Sequence, residues 1–177
     1  MTASAPLPFD PIARAASLWG ERIGEPRAMA AVTSVMRVQQ ILQQAVDGAL
    51  RPHGLTFARY EALVLLRFAR TGALPMRIMG ERLQLHPTSI TNIVDRLQGS
   101  DLVARRPHPT DGRTTLVEIT DAGRELCAAA TAAVTAVDFG LVGLGEEETE
   151  LLTGLLARVR HAAGDFADTG DSAPPER

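Results

Sequence analysis

A helix with one apolar face is predicted just after Pro87. Proline suits the first position of a helix, where its missing N–H would have no partner. His86 stands before it as the cap, and Gly99 ends the helix. Apolar residues recur at i, i+3, i+4 and i+7, the spacing of a face that packs against a core: Ile90, Ile93, Val94 and Leu97. The other face carries mostly short hydrogen-bonding groups that suit contact with base edges in a DNA major groove: Thr88, Ser89, Thr91, Asn92, Asp95 and Arg96.

The segments on either side of this helix complete a DNA-binding motif. A short helix is predicted over residues 76–83, and Gln84 and Leu85 form the turn that follows it. Extended runs over residues 102–107 and 115–119 flank the sequence PTDG, whose residues favour a tight turn. Helix, turn, helix and hairpin in this order predict a winged helix-turn-helix.

Further helices are predicted on both sides of this motif. Asp10, Thr56 and Thr120 stand at cap positions, where a side-chain oxygen accepts from the first free N–H groups of a helix. The helix after Thr56 is apolar on most sides, Phe68 included, which indicates a central buried helix. The pattern predicts helices over residues 11–22, 28–50, 57–69, 121–141 and from 146 onward.

The helices outside residues 55–119 carry apolar stripes without surrounding a core of their own. We therefore expect the N-terminal helices (9–54) and the C-terminal helices (120–163) to interdigitate across a two-fold axis as a homodimer, with the N-terminal helices on the ligand side. Residues 1–8 and 164–177 have the composition of a disordered terminus and a flexible tail. The predicted fold class is mostly α with a small β-wing, a winged helix-turn-helix flanked by a dimerisation region.

Charge is distributed unevenly along the chain, whose net charge is −3. Residues 55–113 contain nine Arg against five acids, so +4, and residues 1–54 contain five against four, so +1. Residues 114–177 contain four Arg against twelve acids, so −8. Positive charge is therefore concentrated on the predicted DNA-binding segment, and this local distribution bears on DNA more than the net charge does.

Several classes of protein are disfavoured. No nucleophile–base pair or carboxylate pair stands out, so no enzyme activity and no cofactor are predicted. The four histidines lack the spacing of metal ligands, so no metal site is predicted. Cys127 lies beside Leu126 and alanines, which favours a packed thiol over a redox switch. No apolar run reaches membrane-spanning length and no signal segment precedes residue 9, so no membrane association and a cytoplasmic location are expected.

Four ordered segments within residues 55–126 resemble the MarR family (multiple antibiotic resistance regulators): LTFARYEALVLL, MGERLQLHPTSITNIVDRL, LVARRPHPTDGRTTLVEIT and DAGREL. The resemblance implies a dimeric winged-helix repressor, often released from DNA by a small aromatic or phenolic ligand. It also implies that the helix after His86 is the recognition helix, with DNA-facing side chains at Thr88, Ser89, Thr91, Asn92 and Arg96.

The wing carries the D-x-R signature of the family at Asp111 and Arg113. The resemblance implies that Arg113 probes the minor groove and that Asp111 holds the base of the wing. Two positions depart from the family pattern. Asp101 stands before Leu102 where the family usually has glycine, and Gly112 stands where a second Arg is common.

Two assignments stay open at this point. Arg105 and Arg106 alternate in direction along one strand, so only one of them is expected to face phosphate. Trp19 in an added N-terminal helix resembles the urate-responsive subgroup, whose acidic residue corresponds to Glu61 at a poorly matching spacing. Trp19, Arg22 and Tyr60 either line a ligand cavity between arm and winged helix or, for the two aromatic residues, serve ordinary packing.

The predicted function is a homodimeric, sequence-specific transcriptional regulator of the repressor type. It would bind a palindromic site on double-stranded DNA and be released by a small aromatic or phenolic effector. The alternative is a non-specific architectural DNA-binding protein or a protein-docking winged helix. A methyltransferase with a winged helix would need a following α/β domain with a glycine-rich loop, whereas only helical pattern follows Ile119.

Overall fold

A computed structural model describes residues 7–111 and 114–167 of the chain. The helices within these residues are α1 (Pro11–Arg22), α2 (Arg27–Leu50), α3 (Phe57–Phe68), α4 (Met76–Leu83), α5 (Pro87–Gln98), α6 (Asp121–Ala136) and α7 (Glu146–Ala162). The strands are β1 (Ala73–Pro75), β2 (Val103–Pro107) and β3 (Thr115–Ile119). Short 3-10 turns cover Arg51–His53 and Asp138–Gly140. The predicted fold class, mostly α with a small β-wing, is confirmed.

Helices α1 and α3 begin at predicted capping side chains. The Asp10 carboxylate accepts from the backbone N–H groups of Ile12 (2.8 Å) and Ala13 (3.3 Å) at the start of α1. Thr56 accepts from the N–H of Arg59 at the start of α3 (3.4 Å). These caps supply acceptors to N–H groups that have no partner inside the helix, so the local sequence sets where each helix begins.

The wing sheet contains a strand that the sequence pattern does not reveal. Its order is β1-β3-β2, with both pairs antiparallel. Gly72 and Pro75 indicate a break between helices, but Leu74 pairs with Val117 of β3, and both side chains are buried. A run of three residues is too short to show alternation, and proline is acceptable because β1 lies at an edge of the sheet.

The prediction that α6 extends to about residue 141 is wrong, because the helix ends at Ala136. Asp138 (φ +48°) and Phe139 (φ +50°) adopt the left-handed conformation, and a right-handed helix cannot continue through them. Gly140 follows with φ +85° and is buried. An alanine-rich segment carries no periodicity that would mark this reversal.

The chain divides into two compact units whose boundary falls between Ala45 and Val46, inside α2. The second unit contains the core, and α3 packs there against α4, α5, α6 and β3. Phe68, the last residue of α3, is 73% exposed, contrary to the prediction that it is buried. The largest fully buried side chains are Leu50, Leu63, Leu66, Met79, Ile90, Val94, Leu97, Val117, Cys127 and Val134.

Two apolar stripes remain exposed on the single chain. The α2 stripe comprises Val32, Val35, Met36, Val38 and Ile41, and the α7 stripe comprises Leu151, Leu155, Leu156 and Val159. Periodic apolar faces normally pack against another surface. Contiguous exposed apolar surface of this kind is typical of interaction sites.

The first residues of the predicted flexible tail make side-chain contacts with the second unit. The Asp165 carboxylate accepts from Arg160 Nε (2.6 Å) and from Gln84 Nε2 in the turn between α4 and α5 (2.8 Å). These hydrogen bonds, that from Arg160 first, hold the pKa of Asp165 below its ordinary value. Phe166 packs near the guanidinium of Arg160. The tail is therefore attached at least as far as Phe166.

Candidate nucleic-acid interface

The predicted turn between α4 and α5 is a close approach of backbone segments. α4 ends at Leu83, the next residue Gln84 takes the left-handed conformation (φ +53°), and the N–H of Leu85 donates to the Gly80 carbonyl (3.0 Å). A Cβ on Gly80 would lie 3.3 Å from the Leu85 carbonyl oxygen, so the turn favours glycine there. An open groove of about 610 Å³ separates the two helices; its lining includes Met76, Gly80, Leu85, Pro87, Ile90 and Thr91.

The amino-terminal end of α5 is ordered by side chains of its own segment. His86 Nδ1 accepts from the N–H of Thr88 (3.3 Å), and Pro87 follows at the first helical position. The Thr91 hydroxyl donates to the Pro87 carbonyl oxygen one turn earlier (3.0 Å). These contacts define the turn of α5 that is predicted to enter the major groove.

The two faces of α5 differ as the sequence predicted. Ile90, Val94 and Leu97 are fully buried against the core. The polar side chains predicted to face DNA are all exposed: Thr88, Ser89, Thr91, Asn92 and Arg96. Among the described residues, the side chains of Asn92 and Arg96 have no hydrogen-bonding or ion-pair partner within the chain. Their donor groups are therefore available to another molecule.

Arg105 and Arg106 project from opposite faces of the wing sheet. Arg105 is in register with Val117, and Val103 next to it on the same face is buried as well. Arg106 is in register with Leu116 on the other face. Because residues directly opposite in a sheet share a face, Arg105 starts on the inner face, toward the core, and Arg106 on the outer face.

The two guanidinium groups have different partners. Arg105 donates from Nη2 to Asp95 Oδ1 (2.5 Å) and from Nη1 to Gln98 Oε1, which joins the wing to the end of α5. Arg106 donates from Nε to Glu118 Oε2 on the neighbouring strand (2.9 Å). The Arg105 side chain is 28% exposed and that of Arg106 is 66% exposed. Arg106 is thus the more accessible of the two to a phosphate group.

The described part of the wing tip is held by short-range hydrogen bonds. Asp111 Oδ2 accepts from the Thr114 hydroxyl (2.6 Å), and the N–H of Asp111 donates to His108 Nδ1 (3.2 Å). The N–H of Thr114 also donates to the Asp111 carbonyl oxygen (3.0 Å). This position suits the structural role predicted for Asp111. Arg113 and Gly112 lie outside the described residues, so the role of Arg113 stays a prediction.

The connection between α5 and β2 explains one departure from the family pattern. Asp101, which stands where the family usually has glycine, takes the left-handed conformation (φ +57°). Gly99 ends α5 but keeps a right-handed φ of −63°. Aspartate tolerates the left-handed region better than most residues. The Asp101 carbonyl oxygen accepts from the Thr120 hydroxyl (2.8 Å) and so ties this connection to the start of α6.

The predicted ligand-cavity residues lie in different compact units. Trp19 and Arg22 are exposed on α1 in the first unit. Tyr60 is buried in the second unit, where its hydroxyl donates to Thr131 Oγ1 (3.2 Å). Burial raises the pKa of Glu61, one residue along α3. A shared cavity of Trp19, Arg22 and Tyr60 remains a prediction.

The described residues include no group of three or more His, Cys, Asp or Glu side chains placed to hold a metal ion. None of their helices combines the length and the apolar character needed to cross a membrane.

Comparisons with known proteins agree with this geometry. The profile of the MarR family matches residues 55–115. The HTH-type transcriptional regulator MhqR of Bacillus subtilis (strain 168) is 31% identical over 131 residues, which cover 73% of this chain and 89% of that protein. Sco5413, a MarR family transcriptional regulator from Streptomyces coelicolor, is 56% identical with a TM-score of 0.73, over 80% of this chain and 99% of that one. CouR from Rhodococcus jostii RHA1, solved with p-coumaroyl-CoA, is 28% identical with a TM-score of 0.62, over 75% of this chain and 91% of that one.

Proposed function

The chain belongs to the MarR family of DNA-binding transcriptional regulators, and we propose that it acts as a homodimeric repressor on a palindromic DNA site. Its relatives are transcriptional regulators, a non-enzymatic family. The observation that carries the proposal is the outward face of α5, where Asn92 and Arg96 are exposed and have no partner in the part of the chain that the structure describes, while the opposite face is buried. We infer a cytoplasmic location, where such a regulator would meet its DNA.

The side chains of α5 would read bases by their own chemistry. Asn92 has an amide that can contact adenine N6 and N7 together, and Arg96 has a guanidinium that reaches guanine or phosphate. Thr88, Ser89 and Thr91 supply shorter hydrogen-bonding groups at the amino-terminal end. Arg106 on the outer face of the wing would bind phosphate, and Arg113 would enter the minor groove, as the D-x-R resemblance implies.

Dimerisation would bury the apolar stripes of α2 and α7. Both stripes have helical spacing and are exposed on the single chain, so a second copy would remove them from water. A two-fold axis would also present two α5 helices to DNA, in half-sites about 10 base pairs apart from centre to centre. Sedimentation of the full chain should give the dimer mass. Met36→Asp, in the middle of the α2 stripe, should shift it toward the monomer.

The site preference is tested by selection from a random duplex pool with the full chain. An inverted repeat with half-sites about one helical turn apart would support the proposal. Binding that is uniform across sequences and falls steeply with salt would support the architectural alternative instead. The contribution of Asn92 to the site preference is tested with the variant Asn92→Ala. Gln44→Ala is its matched control, because both changes remove an exposed amide but Gln44 lies on α2.

We propose further that a small aromatic or phenolic effector releases the protein from DNA. CouR, a relative, was solved with p-coumaroyl-CoA, and the groove between α4 and α5 has the volume of a small-molecule site. Trp19 is the only tryptophan, so its fluorescence reports binding near α1 separately from DNA release. Aromatic acids titrated against the DNA complex should release it. If none of a broad panel does so, effector control is wrong.

A further inference from the structure

We propose that Arg105 is a positioning residue, which fixes the recognition helix α5 relative to the wing and does not itself bind DNA. This inference rests on the proposed function, because it concerns how α5 and the wing meet DNA together. It also decides between the two adjacent arginines, which the sequence left equivalent.

The planar guanidinium group of Arg105 joins strand β2 of the wing to helix α5. Asp95 and Gln98 lie three residues apart on α5, so their side chains are neighbours on one face of the helix. The two terminal nitrogens of the Arg105 guanidinium donate to one acceptor on each of them. Arg105 itself starts on the inner face of the wing sheet, in register with buried Val117. Because the two donor nitrogens of a guanidinium group have a fixed geometry, this forked contact holds both the distance and the angle between α5 and β2.

The charges argue against a phosphate contact by Arg105. Its guanidinium already pairs with the Asp95 carboxylate at 2.5 Å and is less than half as exposed as that of Arg106. Turning it toward DNA would leave the Asp95 carboxylate, which is 57% exposed, unpaired beside the phosphate backbone. The pair also places a cation at the carboxyl end of α5, where the helix dipole favours positive charge.

The functional consequence follows from the two kinds of contact that a winged helix makes. Base contacts by α5 and backbone contacts by the wing form together only if the angle between the two elements is right. Non-specific binding uses phosphate contacts alone and tolerates a variable angle. Loss of the Arg105 fork should therefore reduce specific affinity while leaving non-specific affinity nearly unchanged.

The test uses the full chain with two duplexes: the one recovered by selection with the wild type, and a scrambled duplex of the same length. Arg105→Gln should weaken binding to the selected duplex about three- to thirtyfold, which lies within the range of direct couplings between contacting side chains. Affinity for the scrambled duplex and the salt dependence of binding should stay near those of the wild type. Arg105→Lys should recover affinity only in part, because an ammonium group lacks the planar fork.

Arg106→Gln is the matched control, since it removes the same charge one residue away on the outer face. It should weaken both duplexes alike and lower the slope of log affinity against log salt by roughly 1.8, because the proposed homodimer loses one phosphate contact in each subunit. The double variant Asp95→Asn with Arg105→Gln should lose no more affinity than Arg105→Gln alone, because both act through one contact. Binding is measured at a temperature where circular dichroism shows every variant to be folded.

Four outcomes overturn the inference. If Arg105→Gln lowers the salt slope as Arg106→Gln does, Arg105 binds phosphate. If it weakens both duplexes by one factor at unchanged slope, Arg105 maintains the fold in general and not the angle between α5 and the wing, because only a change of that angle would spare non-specific binding. If the wild type selects no sequence at all, the proposed function fails and the inference with it; a selected site with an unaffected Arg105→Gln refutes the inference alone.

Discussion

Replacing Gly123 with alanine should destabilise the second compact unit and disturb the attachment of the wing. Gly123 lies in the first turn of α6, and a Cβ there would be 2.1 Å from the Leu102 carbonyl oxygen and 2.9 Å from a side-chain carbon of Ile119. The nearest obstacle is backbone and cannot rotate away. α6 and the connection between α5 and β2 would have to separate by roughly 1 Å, since contacts shorter than 3.0 Å do not occur.

The size of the effect follows from the bonds at this contact. The Leu102 carbonyl accepts from the N–H of Thr120 (3.1 Å), and the Thr120 hydroxyl caps α6 through the N–H of Gly123 (3.0 Å). Overpacking costs about 1–3 kcal/mol, and a weakened cap and hydrogen bond add about 1 kcal/mol each. The higher helix propensity of alanine returns about 1 kcal/mol. We expect a net loss of about 2–4 kcal/mol in the free energy of unfolding.

Urea unfolding followed by circular dichroism measures this loss. Gly48→Ala is the control, because Gly48 lies within α2 and a Cβ added there would meet no described atom within 4 Å outside its own helical backbone. It should stabilise the protein by about 0.5–1 kcal/mol through helix propensity. A Gly123→Ala variant as stable as the wild type would refute the close approach of α6 to Leu102.

Three further predictions concern single side chains. Asn92→Ala should relax sequence preference by about 1–3 kcal/mol at one base pair of the selected site, while Gln44→Ala should leave the preference unchanged. If gel-shift titrations show the same preference for Asn92→Ala as for the wild type, Asn92 does not read a base. The free energy of unfolding of Asp101→Val should be about 1–2 kcal/mol lower than that of Asp101→Gly, because a β-branched residue fits the left-handed region poorly. The lowered pKa of Asp165 means that its contribution to stability is present above its ordinary pKa and is lost as pH falls through the lower folded value. Asp165→Asn should therefore reduce the dependence of the free energy of unfolding on pH in the acid range. If this dependence is unaltered, the pairing of Asp165 with Arg160 is absent in solution.

The helix-turn-helix could be predicted from sequence because its signals are local. A cap at His86, proline at the first helical position and an apolar face all lie within one element. The structure has the cap and the proline, and three of the four apolar residues are buried while Ile93 is half-buried. The caps at Asp10, Thr56 and Thr120 are of the same kind. Such features depend on residues three or four positions apart, which is the range that periodicity measures.

Features that depend on distant parts of the chain could not be predicted in this way. β1 exists because Leu74 finds Val117 more than forty residues later, and no pattern within three residues reveals that pairing. Alternation along β2 showed that Arg105 and Arg106 differ in direction, but only the register with β3 shows which one points inward. The left-handed Asp101 was signalled by the missing family glycine, although the conformation itself comes from the path between α5 and β2.

The hydrogen bond between the Thr91 hydroxyl and the Pro87 carbonyl limits which bases this residue could recognise. The hydroxyl proton is already used, so under the proposed function Thr91 would meet DNA as an acceptor only. In the major groove an acceptor is complementary to the amino groups of adenine and cytosine, whereas guanine O6 and N7 and thymine O4 offer only lone pairs. If the base opposite Thr91 offered only a lone pair, the hydroxyl oxygen would repel it. The repulsion would be relieved only if the threonine side chain rotated and broke its hydrogen bond to the Pro87 carbonyl oxygen. A bond internal to the helix would thereby disfavour hydrogen bonding of the Thr91 hydroxyl to guanine and thymine at one position of the site.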